Sequence, residues 1–286
     1  MNSSSEYTIQ QTLTQAMQLL ADKSDSAKLD AELLLAFALK QNRTYLVTWN
    51  DRLISNADAD VFQSLLSRRL TGEPVAYILG QQEFWDLTLS TNQHTLIPRA
   101  DTETLIEWAL ELAPELAGNA RVIDLGTGTG AIALALAKEC PGWQVSAVDL
   151  VSQAVELAQK NARDNDLSRV SIFQSSWFEQ VQGCFDLIVS NPPYIDPTDE
   201  HLSQGDVRFE PPSALVADKQ GLADIETICE QARGYLNSGG WLLIEHGYNQ
   251  QESVQAIFTQ LGYHQVTTRF DLGGNPRITG GQYFYE

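Results

Sequence analysis

The sequence predicts an α/β fold, in which a small α-helical bundle is followed by a doubly wound, mostly parallel sheet. Apolar residues recur at helical spacing from Tyr7 to about Thr71, where no strand pattern is visible. From Asn119 onward, strand-like and helix-like runs alternate, and such alternation produces a parallel sheet with helices on both faces. We therefore divide the chain into an N-terminal helical domain (1–73), a β-hairpin linker (74–100) and a sheet domain (101–286).

The helical bundle is predicted from apolar residues that fall on one face of each segment. These residues are Leu13, Met17 and Leu20, then Leu29, Leu33, Leu34 and Phe37, and finally Val61, Leu65 and Leu66. Gly72-Glu-Pro74 is predicted to end the bundle, because glycine and proline both disfavour a continuing helix. The stretch from Val75 to Ile97 then predicts short strands, with turns at Gly80 and at Thr91-Asn92.

The sheet domain is predicted to open with a helix from Thr102 to Leu112, with Asp101 as its N-cap and Glu103 in its first turn. Strands are predicted at 121–125, 145–149, 170–173, 186–189 and 241–245, and helices at 131–138, 152–162, 222–236 and 251–261. Residues 265–270 and 282–285 alternate in polarity like a closing pair of strands. Gly280-Gly-Gln282, which comes before the last of them, is predicted to be a hairpin turn.

The charge balance disfavours one class of partner. The chain has 37 acidic and 18 basic residues, which gives a formal net charge of −19. Proteins that hold nucleic acid through its phosphates present clusters of Lys and Arg, so we expect no direct nucleic-acid substrate. The acidic surface fits either a solubilising role or a basic protein partner.

Other composition features point to an intracellular protein without a metal. The 3 cysteines and 4 histidines show no metal-ligand spacing. The longest apolar run, Ala31 to Leu39, is about half of what a bilayer requires, so we expect no membrane association. No basic residue precedes Lys23, so no secretory signal is visible and we expect a cytoplasmic location.

A glycine-rich loop follows the first strand of the alternating region and opens its helix. Glycines let the backbone turn sharply and approach a ligand without an intervening Cβ. An acidic residue ends the next strand, about 20 residues further on, where a carboxylate can accept both ribose hydroxyls of an adenosine. The predicted nucleoside-cofactor site consists of Asp124, Gly126, Thr127, Gly128, Thr129, Gly130 and Asp149.

Two cofactor classes fit this loop. A dinucleotide is compatible with the pattern Gly-x-Gly-x-x-Ala131, which would make the chain an oxidoreductase. S-adenosylmethionine is favoured, because a carboxylate from Asp124 at the mouth of the loop would repel a pyrophosphate and suit a cationic methionine end. The next motif along the chain also has no obvious use in hydride transfer.

That motif is Asn191-Pro-Pro-Tyr194, which follows the apolar run Phe185 to Ser190. An amide nitrogen is a poor nucleophile, because its lone pair is delocalised into the adjacent π-system. Two acceptors, the Asn191 side-chain oxygen and the Pro192 carbonyl, could hold both N–H bonds of a planar NH2 group and aim its lone pair at a methyl donor. Proline fixes the backbone and Tyr194 can lie against the planar group, so alignment replaces a strong general base.

Further motifs accompany these two. They are Gly72-Glu-Pro-Val-Ala-Tyr-Ile-Leu-Gly80, Leu96-Ile-Pro-Arg-Ala-Asp-Thr-Glu103, Asn191-Pro-Pro-Tyr-Ile-Asp196, Gly205-Asp-Val-Arg-Phe-Glu-Pro211, Glu245-His-Gly247 and the tail from Asp271 to Gly280. Together with the glycine loop they make nearly the whole chain resemble the peptide chain release factor N(5)-glutamine methyltransferases. The tetrapeptide alone is shared by many amino-methyltransferases, and its combination with the other segments is more specific.

The resemblance implies a helical substrate-docking domain followed in the sequence by a Rossmann-like class I methyltransferase domain, which has a seven-stranded sheet with an antiparallel terminal strand. It implies methylation of the glutamine in the Gly-Gly-Gln tripeptide of release factors, which modulates translation termination, with S-adenosylhomocysteine as the second product. On this chain it implies that Gly126 to Gly130 and Asp149 hold the cofactor and that Trp177 packs near the adenine. It also implies that the substrate glutamine is held by Asn191, Pro192, Pro193 and Tyr194, and that Asn191 lies beside the cofactor's methyl group.

The chain departs from the family pattern at two positions. Ser176 stands where the family usually has an acid before the tryptophan, which puts a contact with the adenine amino group in doubt. Ala100 stands where the family usually has proline, which loosens the segment before Asp101. Arg99 and Glu103 are hypothesised to close over the cofactor or guide the substrate loop.

Three alternatives remain open on the sequence. A glutamine methyltransferase of a ribosomal protein would use the same chemistry. A nucleic-acid adenine methyltransferase would also fit the motif, but it predicts a basic channel that is not visible. A non-enzymatic adenosine-binding module would keep the glycine loop without methyl transfer. Methylation of the chain's own Gly280-Gly-Gln282 is disfavoured.

Overall fold

The computed structural model describes residues 4–285. They group into two compact units. The helical unit contains the chain up to Gly80 together with the segment Glu200–Phe209, and the sheet unit contains the rest, including the hairpin that follows Gly80. No helix within the described range is long and apolar enough to span a bilayer.

The helical unit is built on short, well-capped helices. They are α1 (Ile9–Leu20), α2 (Ala27–Ala38), α3 (Arg43–Thr48), α4 (Asn56–Leu70) and α5 (Val75–Leu79). The start of α1 is fixed by a capping box, in which the Thr8 hydroxyl accepts from the Gln11 N–H at 3.2 Å and the Gln11 side chain accepts from the Thr8 N–H at 2.9 Å. Fully buried side chains, among them Leu34, Leu35 and Phe62, form the core of the unit.

Two predictions for this region were wrong. The region expected to lack strands contains β1 (Ser4–Thr8), which pairs antiparallel with β2 (Leu53–Ser55). The latter strand is 3 residues long, too short for alternation to be visible in the sequence. Residues Val75–Leu79, expected as strand, form a helix because Pro74 starts one instead of only ending the previous one. Gly80, at φ 71°, then ends it in the left-handed conformation.

A buried ion cluster holds the helical unit together. The side chain of Arg69 is 6 % exposed, and its Nε donates to Asp30 Oδ2 at 2.6 Å. Its Nη1 donates to Asp206 Oδ1 at 2.8 Å and to two backbone carbonyls. A buried guanidinium is tolerated only when it is paired in this way. Arg69 therefore fixes the segment Glu200–Phe209 within the helical unit.

The sheet unit alternates strands and helices as predicted. Its strands are β3 (Gln81–Phe84), β4 (Leu87–Ser90), β5 (Arg121–Leu125), β6 (Gln144–Asp149), β7 (Ser171–Gln174), β8 (Phe185–Ser190), β9 (Leu236–Glu245), β10 (His264–Phe270) and β11 (Pro276–Tyr283). Its helices are α6 (Glu103–Leu112), α7 (Ala131–Glu139), α8 (Ser152–Asp164), α9 (Asp218–Gly221), α10 (Ala223–Ala232) and α11 (Gln251–Gln260).

The predicted fold class is confirmed by the order of the strands. Seven of the described strands form one sheet in the order β10-β11-β9-β8-β5-β6-β7, and β3 pairs with β4 in a separate hairpin. Strand β11 runs antiparallel to both of its neighbours, and the pairs from β9 to β7 are parallel. Helices α6, α7 and α8 cover one face and helices α10 and α11 the other. The strand order changes direction at β5, which is where ligands bind in such sheets.

The start of α6 differs from the prediction. A 3-10 turn, Ala100–Thr102, precedes the helix, and Thr102 occupies the N-cap position that Asp101 was expected to fill. Asp101 instead pairs with Arg277, with Oδ2 and Nη2 3.0 Å apart. A charge partner that is distant in sequence thus outweighs the local capping preference of aspartate.

The prediction of a turn at Gly280-Gly-Gln282 was also wrong. These residues lie within β11, opposite Leu243, Leu242 and Trp241 of β9. A Cβ built on Gly280 would lie 2.5 Å from Leu243 Cδ2 and 2.7 Å from the Trp108 ring. The glycine is therefore needed for close packing of the sheet against a tryptophan, and not for a turn.

Candidate functional site

A pocket opens where the carboxyl ends of the central parallel strands meet. It is lined by residues from the loops after β5, β6, β7 and β8 and from the segment between β4 and α6. Chain segments that are distant in sequence converge here because parallel strands all end at the same edge of the sheet. The pocket brings together most of the predicted site residues, namely Gly126, Thr127, Gly128, Thr129, Asp149, Trp177, Asn191 and Pro193.

The glycine loop after β5 has a backbone that only glycine adopts easily. Gly126, Gly128 and Gly130 have φ angles of 71°, 54° and 87°. A Cβ on Gly126 would lie 3.4 Å from the Trp177 ring, and one on Gly130 would lie 3.1 Å from Leu134 Cδ1. The loop therefore presents bare backbone to the pocket on one side and packs tightly on the other.

Asp149, the last residue of β6, is held at the pocket wall by backbone donors. Its Oδ2 accepts from the Gly128 N–H and its Oδ1 from the Val151 N–H, both at 2.9 Å. Burial raises the pKa of this carboxyl, and these backbone hydrogen bonds oppose the rise. Each carboxylate oxygen keeps a second lone pair, so the group can still accept hydrogen bonds from a ligand.

Asp124 does not lie where the sequence suggested. The side chain was expected at the mouth of the loop, but it is fully buried beneath it and does not line the pocket. Its Oδ2 accepts from the Thr127 hydroxyl at 2.6 Å, which ties the loop to the end of β5. Its Oδ1 is buried without a hydrogen-bond partner among the described residues, and burial raises the pKa of the group to about 7. Direct contact of Asp124 with a cofactor stays a prediction.

The tetrapeptide after β8 divides between the pocket and the protein interior. Asn191 and Pro193 line the pocket, whereas Pro192 and Tyr194 do not. The Asn191 amide donates from Nδ2 to Thr102 Oγ1 at 3.2 Å. The Tyr194 hydroxyl donates to Glu245 Oε1 at 3.3 Å, so this ring is anchored to the end of β9. Contact of Tyr194 with a substrate amide stays a prediction.

Trp177 reaches the pocket through a strained turn after β7. Its φ of 44° is unusual for a bulky residue and marks a backbone conformation that the surrounding structure has to hold. The Ser175 hydroxyl supplies that support, because it donates to the Trp177 carbonyl at 2.9 Å and accepts from the Gln180 N–H at 3.0 Å. Ser176 also lines the pocket, at the position where the family usually has an acid.

The residues Arg99 and Glu103 have different surroundings. Arg99 lines the pocket, and its Nη2 donates to Glu210 Oε2 at 2.7 Å. Glu210 also accepts from the Ile97 N–H at 3.0 Å through Oε1, and its side chain is fully buried. Glu103 instead accepts from the Trp85 N–H at 2.9 Å and does not line the pocket.

Sequence reasoning assigned no role to several residues of the site. Thr102, Glu210 and Glu245 lie in motifs that were recognised as segments, but their contacts join parts of the chain that are distant in sequence. Asp224, on α10, also lines the pocket and belongs to none of the motifs, so no sequence signal could have found it. Within residues 4–285, no group of three or more His, Cys, Asp and Glu side chains is arranged to hold a metal ion.

Comparisons with known proteins agree with this architecture. Residues 11–80 match the family model described as PrmC N-terminal domain, and residues 103–207 match the one described as Methyltransferase small domain. A methyltransferase structure from Pyrococcus furiosus covers 78 % of this chain and 100 % of its own at a TM-score of 0.54 and 20 % identity, which shows the shared fold.

Two bacterial relatives are far more similar in sequence. The release factor glutamine methyltransferase of Shewanella oneidensis is 51 % identical over 96 % of this chain and 96 % of its own. That of Vibrio cholerae is 51 % identical over 93 % of both chains. Identity at this level over nearly the full length leaves one family assignment: the chain belongs to the release factor glutamine methyltransferases.

Proposed function

We propose that this chain transfers a methyl group from S-adenosylmethionine to the side-chain amide nitrogen of the glutamine in the Gly-Gly-Gln motif of peptide chain release factors. The observation that supports this most directly is that Asn191 lines the same pocket as the glycine loop and Asp149. A group that can accept from an amide N–H thus lies in the pocket whose glycine loop and carboxylate suit an adenosine. Release factors act in the cytoplasm, so the proposal puts the enzyme there.

The residues of the pocket fit the cofactor. The Asp149 carboxylate has acceptor capacity for ribose hydroxyls, and the bare backbone at Gly126 and Gly128 allows close approach. Trp177 offers an aromatic face for an adenine, and Ser176 beside it can contact the adenine amino group only weakly or through water. When bound, S-adenosylmethionine supplies an electrophilic methyl group on a sulfonium.

The chain's own contribution to the reaction is orientation of the substrate amide. Asn191 Oδ1, in the pocket, would accept one of its N–H bonds, and the Pro192 carbonyl, which belongs to a residue outside the pocket lining, is the predicted acceptor for the other. Two such acceptors would direct the nitrogen lone pair at the methyl group. Pro192 and Pro193 restrict the movement of these acceptors, because the φ angle of proline is fixed. Alignment and exclusion of water would favour transfer, in which the N–CH3 bond forms as the S–CH3 bond breaks. The methylated nitrogen is strongly acidic and would then lose one of its two protons to solvent, so no strong general base is required.

The remaining parts of the chain bring the protein substrate to this pocket. We propose that the helical domain (1–73) docks the release factor, that residues 74–100 link it to the catalytic domain, and that residues 101–286 carry out the transfer. The family match over residues 11–80, separate from the methyltransferase match, supports a distinct role for the N-terminal part.

Methyl transfer to candidate acceptors tests the proposed substrate. The full chain is incubated with cofactor labelled in the methyl group and, in separate reactions, with purified release factor, large-subunit ribosomal proteins, and DNA or RNA. We expect label on the release factor. Label on the ribosomal proteins alone would favour a ribosomal glutamine as substrate, and efficient labelling of nucleic acid would overturn the proposal.

A further inference from the structure

We propose that Thr102 and Glu245 are positioning residues that set the orientation of the Asn191 side-chain amide. This inference rests on the proposed function and deepens it, because it states how the acceptor for the substrate amide is presented. Thr102 lies in the turn before α6, Asn191 follows β8, and Glu245 ends β9. Thr102 and Asn191 line the pocket and share a hydrogen bond, and Glu245 holds Tyr194 of the same tetrapeptide.

An asparagine must present the correct end to accept hydrogen bonds from a substrate. Its side chain has an acceptor, Oδ1, and a donor, Nδ2, which are nearly equal in size. Here Nδ2 donates to Thr102 Oγ1 at 3.2 Å, and Oδ1 accepts no hydrogen bond from any residue of 4–285. The contact with Thr102 therefore keeps the donor end occupied and leaves the acceptor end for the substrate.

The side chain of Thr102 is not used for helix capping. Threonine at an N-cap commonly accepts from a backbone N–H of the first helical turn. Thr102 occupies the N-cap position of α6, yet its backbone is helical, at φ −66° and ψ −20°, and its side chain makes no capping hydrogen bond. The residue is 5 % exposed, and its hydroxyl contacts Asn191 instead.

Glu245 determines which way the hydrogen bond between Thr102 and Asn191 runs. It is 1 % exposed and lies next to β8 in the sheet, since its neighbour Ile244 pairs with Ser190. Its Oε1 accepts from the Tyr194 hydroxyl, whereas its Oε2 is buried without a hydrogen-bond partner among the described residues. The Thr102 and Tyr194 hydroxyls both lower the pKa of the group and so favour its charged form. Since a carboxylate can only accept, we infer that the Thr102 hydroxyl turns its proton toward this unpartnered oxygen. Once the Thr102 hydroxyl proton points to Glu245, the Thr102 oxygen can act toward Asn191 only as an acceptor, and it accepts from the Asn191 N–H.

The same carboxyl contacts the last residue of the tetrapeptide and, in this proposal, acts on the first through Thr102. Tyr194 donates to Glu245 Oε1, and Asn191 donates to Thr102, whose hydroxyl proton would complete the link to Glu245. The surrounding charged and titratable groups are Asp101 before α6, Arg277 on β11 and Tyr194 itself. Burial raises the pKa of Glu245 to about 7, while Thr102, Arg277 and Tyr194 oppose the rise. The ionised form of Glu245, which orients the Thr102 hydroxyl, is therefore gained as the pH rises through about 7.

Three variants test the inference in the full-length enzyme with release factor as substrate. Thr102→Val removes the hydroxyl and keeps the shape of the side chain, and Thr102→Ser keeps the hydroxyl. Glu245→Gln replaces the carboxylate, which can only accept, with an amide that can also donate. We expect Thr102→Val and Glu245→Gln to lower kcat by about 10- to 100-fold through misalignment, with the Kd for S-adenosylmethionine changed by less than about 3-fold. Thr102→Ser should retain most of the wild-type kcat.

The pH profile separates positioning from a merely structural role. The wild-type kcat should rise with pH with an inflection near 7, and Glu245→Gln should lose that inflection. Unchanged kcat in Thr102→Val, an equal loss in Thr102→Ser, or an equal loss of cofactor affinity would each overturn the inference. Failure of the proposed function is a different result, in which the wild-type enzyme itself does not methylate the release factor.

Discussion

At the scale of single residues, Asn191 has the most direct part in the proposed chemistry. It lines the pocket, and among residues 4–285 only its donor end has a hydrogen-bond partner. Asn191→Ala should abolish nearly all methyl transfer, because the substrate N–H loses its acceptor, while the Kd for S-adenosylmethionine stays largely unchanged. Single-turnover transfer and calorimetric cofactor binding, measured on the same preparation, check this.

A second asparagine provides the control. Asn165 ends α8 outside the pocket, where its Nδ2 donates to the Thr88 carbonyl at 3.0 Å. Asn165→Ala should leave both transfer and cofactor binding close to wild type. Transfer at the wild-type rate in Asn191→Ala would refute the role of the amide as the substrate acceptor and would favour an adenosine-binding module or a different catalytic group.

The buried carboxyl of Asp124 predicts a pH-dependent stability. Its pKa is raised to about 7 in the folded protein because of burial, above the value of 3.8 that the unfolded chain has. The unfolded chain therefore releases the proton first, and the stabilisation present at low pH is lost as the pH rises through about 7. Asp124→Asn removes this titration.

Urea unfolding of the cofactor-free protein at several pH values measures the effect. The free energy of unfolding of Asp124→Asn relative to wild type should increase by on the order of 2 kcal/mol between about pH 5 and about pH 8. A difference between the two proteins that is independent of pH would show that Asp124 does not titrate in this range.

Residues whose role depends on local backbone were predictable, and those that depend on distant partners were not. The glycines of the loop and Asp149 follow from a strand, a tight turn and the end of the next strand, all close in sequence. Asp124 was expected at the pocket mouth but is buried, and Thr102 received no role, since its contact with Asn191 joins two segments 89 residues apart. No periodicity records such a contact.

At the scale of elements, the central strands and their helices were predicted from alternation alone. Each of β5, β6 and β8 is followed by a helix or a turn signal, and β6 and β8 pair with β5 on its two sides. The errors occurred where packing overrides local preference. Helix α5 forms after Pro74, and β11 continues through two glycines that were expected to turn.

The packing argument for β11 predicts the effect of one methyl group. Gly280→Ala would place a Cβ 2.5 Å from Leu243 Cδ2 and 2.7 Å from the Trp108 ring. Because both neighbours are buried, we expect a loss of about 1–3 kcal/mol in the free energy of unfolding. Thermal and urea unfolding measure it.

A glycine in open space is the matched control. A Cβ on Gly118 would meet nothing within 4 Å, and its backbone is not in the left-handed region. Gly118→Ala should therefore change the free energy of unfolding by less than about 0.5 kcal/mol. Equal effects of the two substitutions would mean that the contact between β11, β9 and Trp108 is looser than the structure indicates.

At the scale of the whole molecule, the net charge of −19 favours a basic protein partner over nucleic acid. If the acidic surface attracts the release factor, the KM for that substrate should rise several-fold between about 50 mM and about 500 mM salt, because salt screens exposed charges. A short uncharged peptide that contains Gly-Gly-Gln is the control, and its KM should respond little.

A KM for the intact release factor that does not change with salt would contradict electrostatic docking. The chemistry at Asn191 would not be affected by that result, since the peptide reports on the pocket alone. The two substrates together therefore separate attraction between the proteins from recognition of the glutamine.

The central claim is that one glutamine amide receives the methyl group. The most direct measurement is the mass of the tryptic peptide of a release factor that contains Gly-Gly-Gln, before and after incubation with the enzyme and S-adenosylmethionine. The account predicts a gain of one methyl group, which fragment ions assign to the glutamine side chain, and no gain with Asn191→Ala. An unchanged mass with the wild-type enzyme, or a methyl group on any other residue, would contradict it.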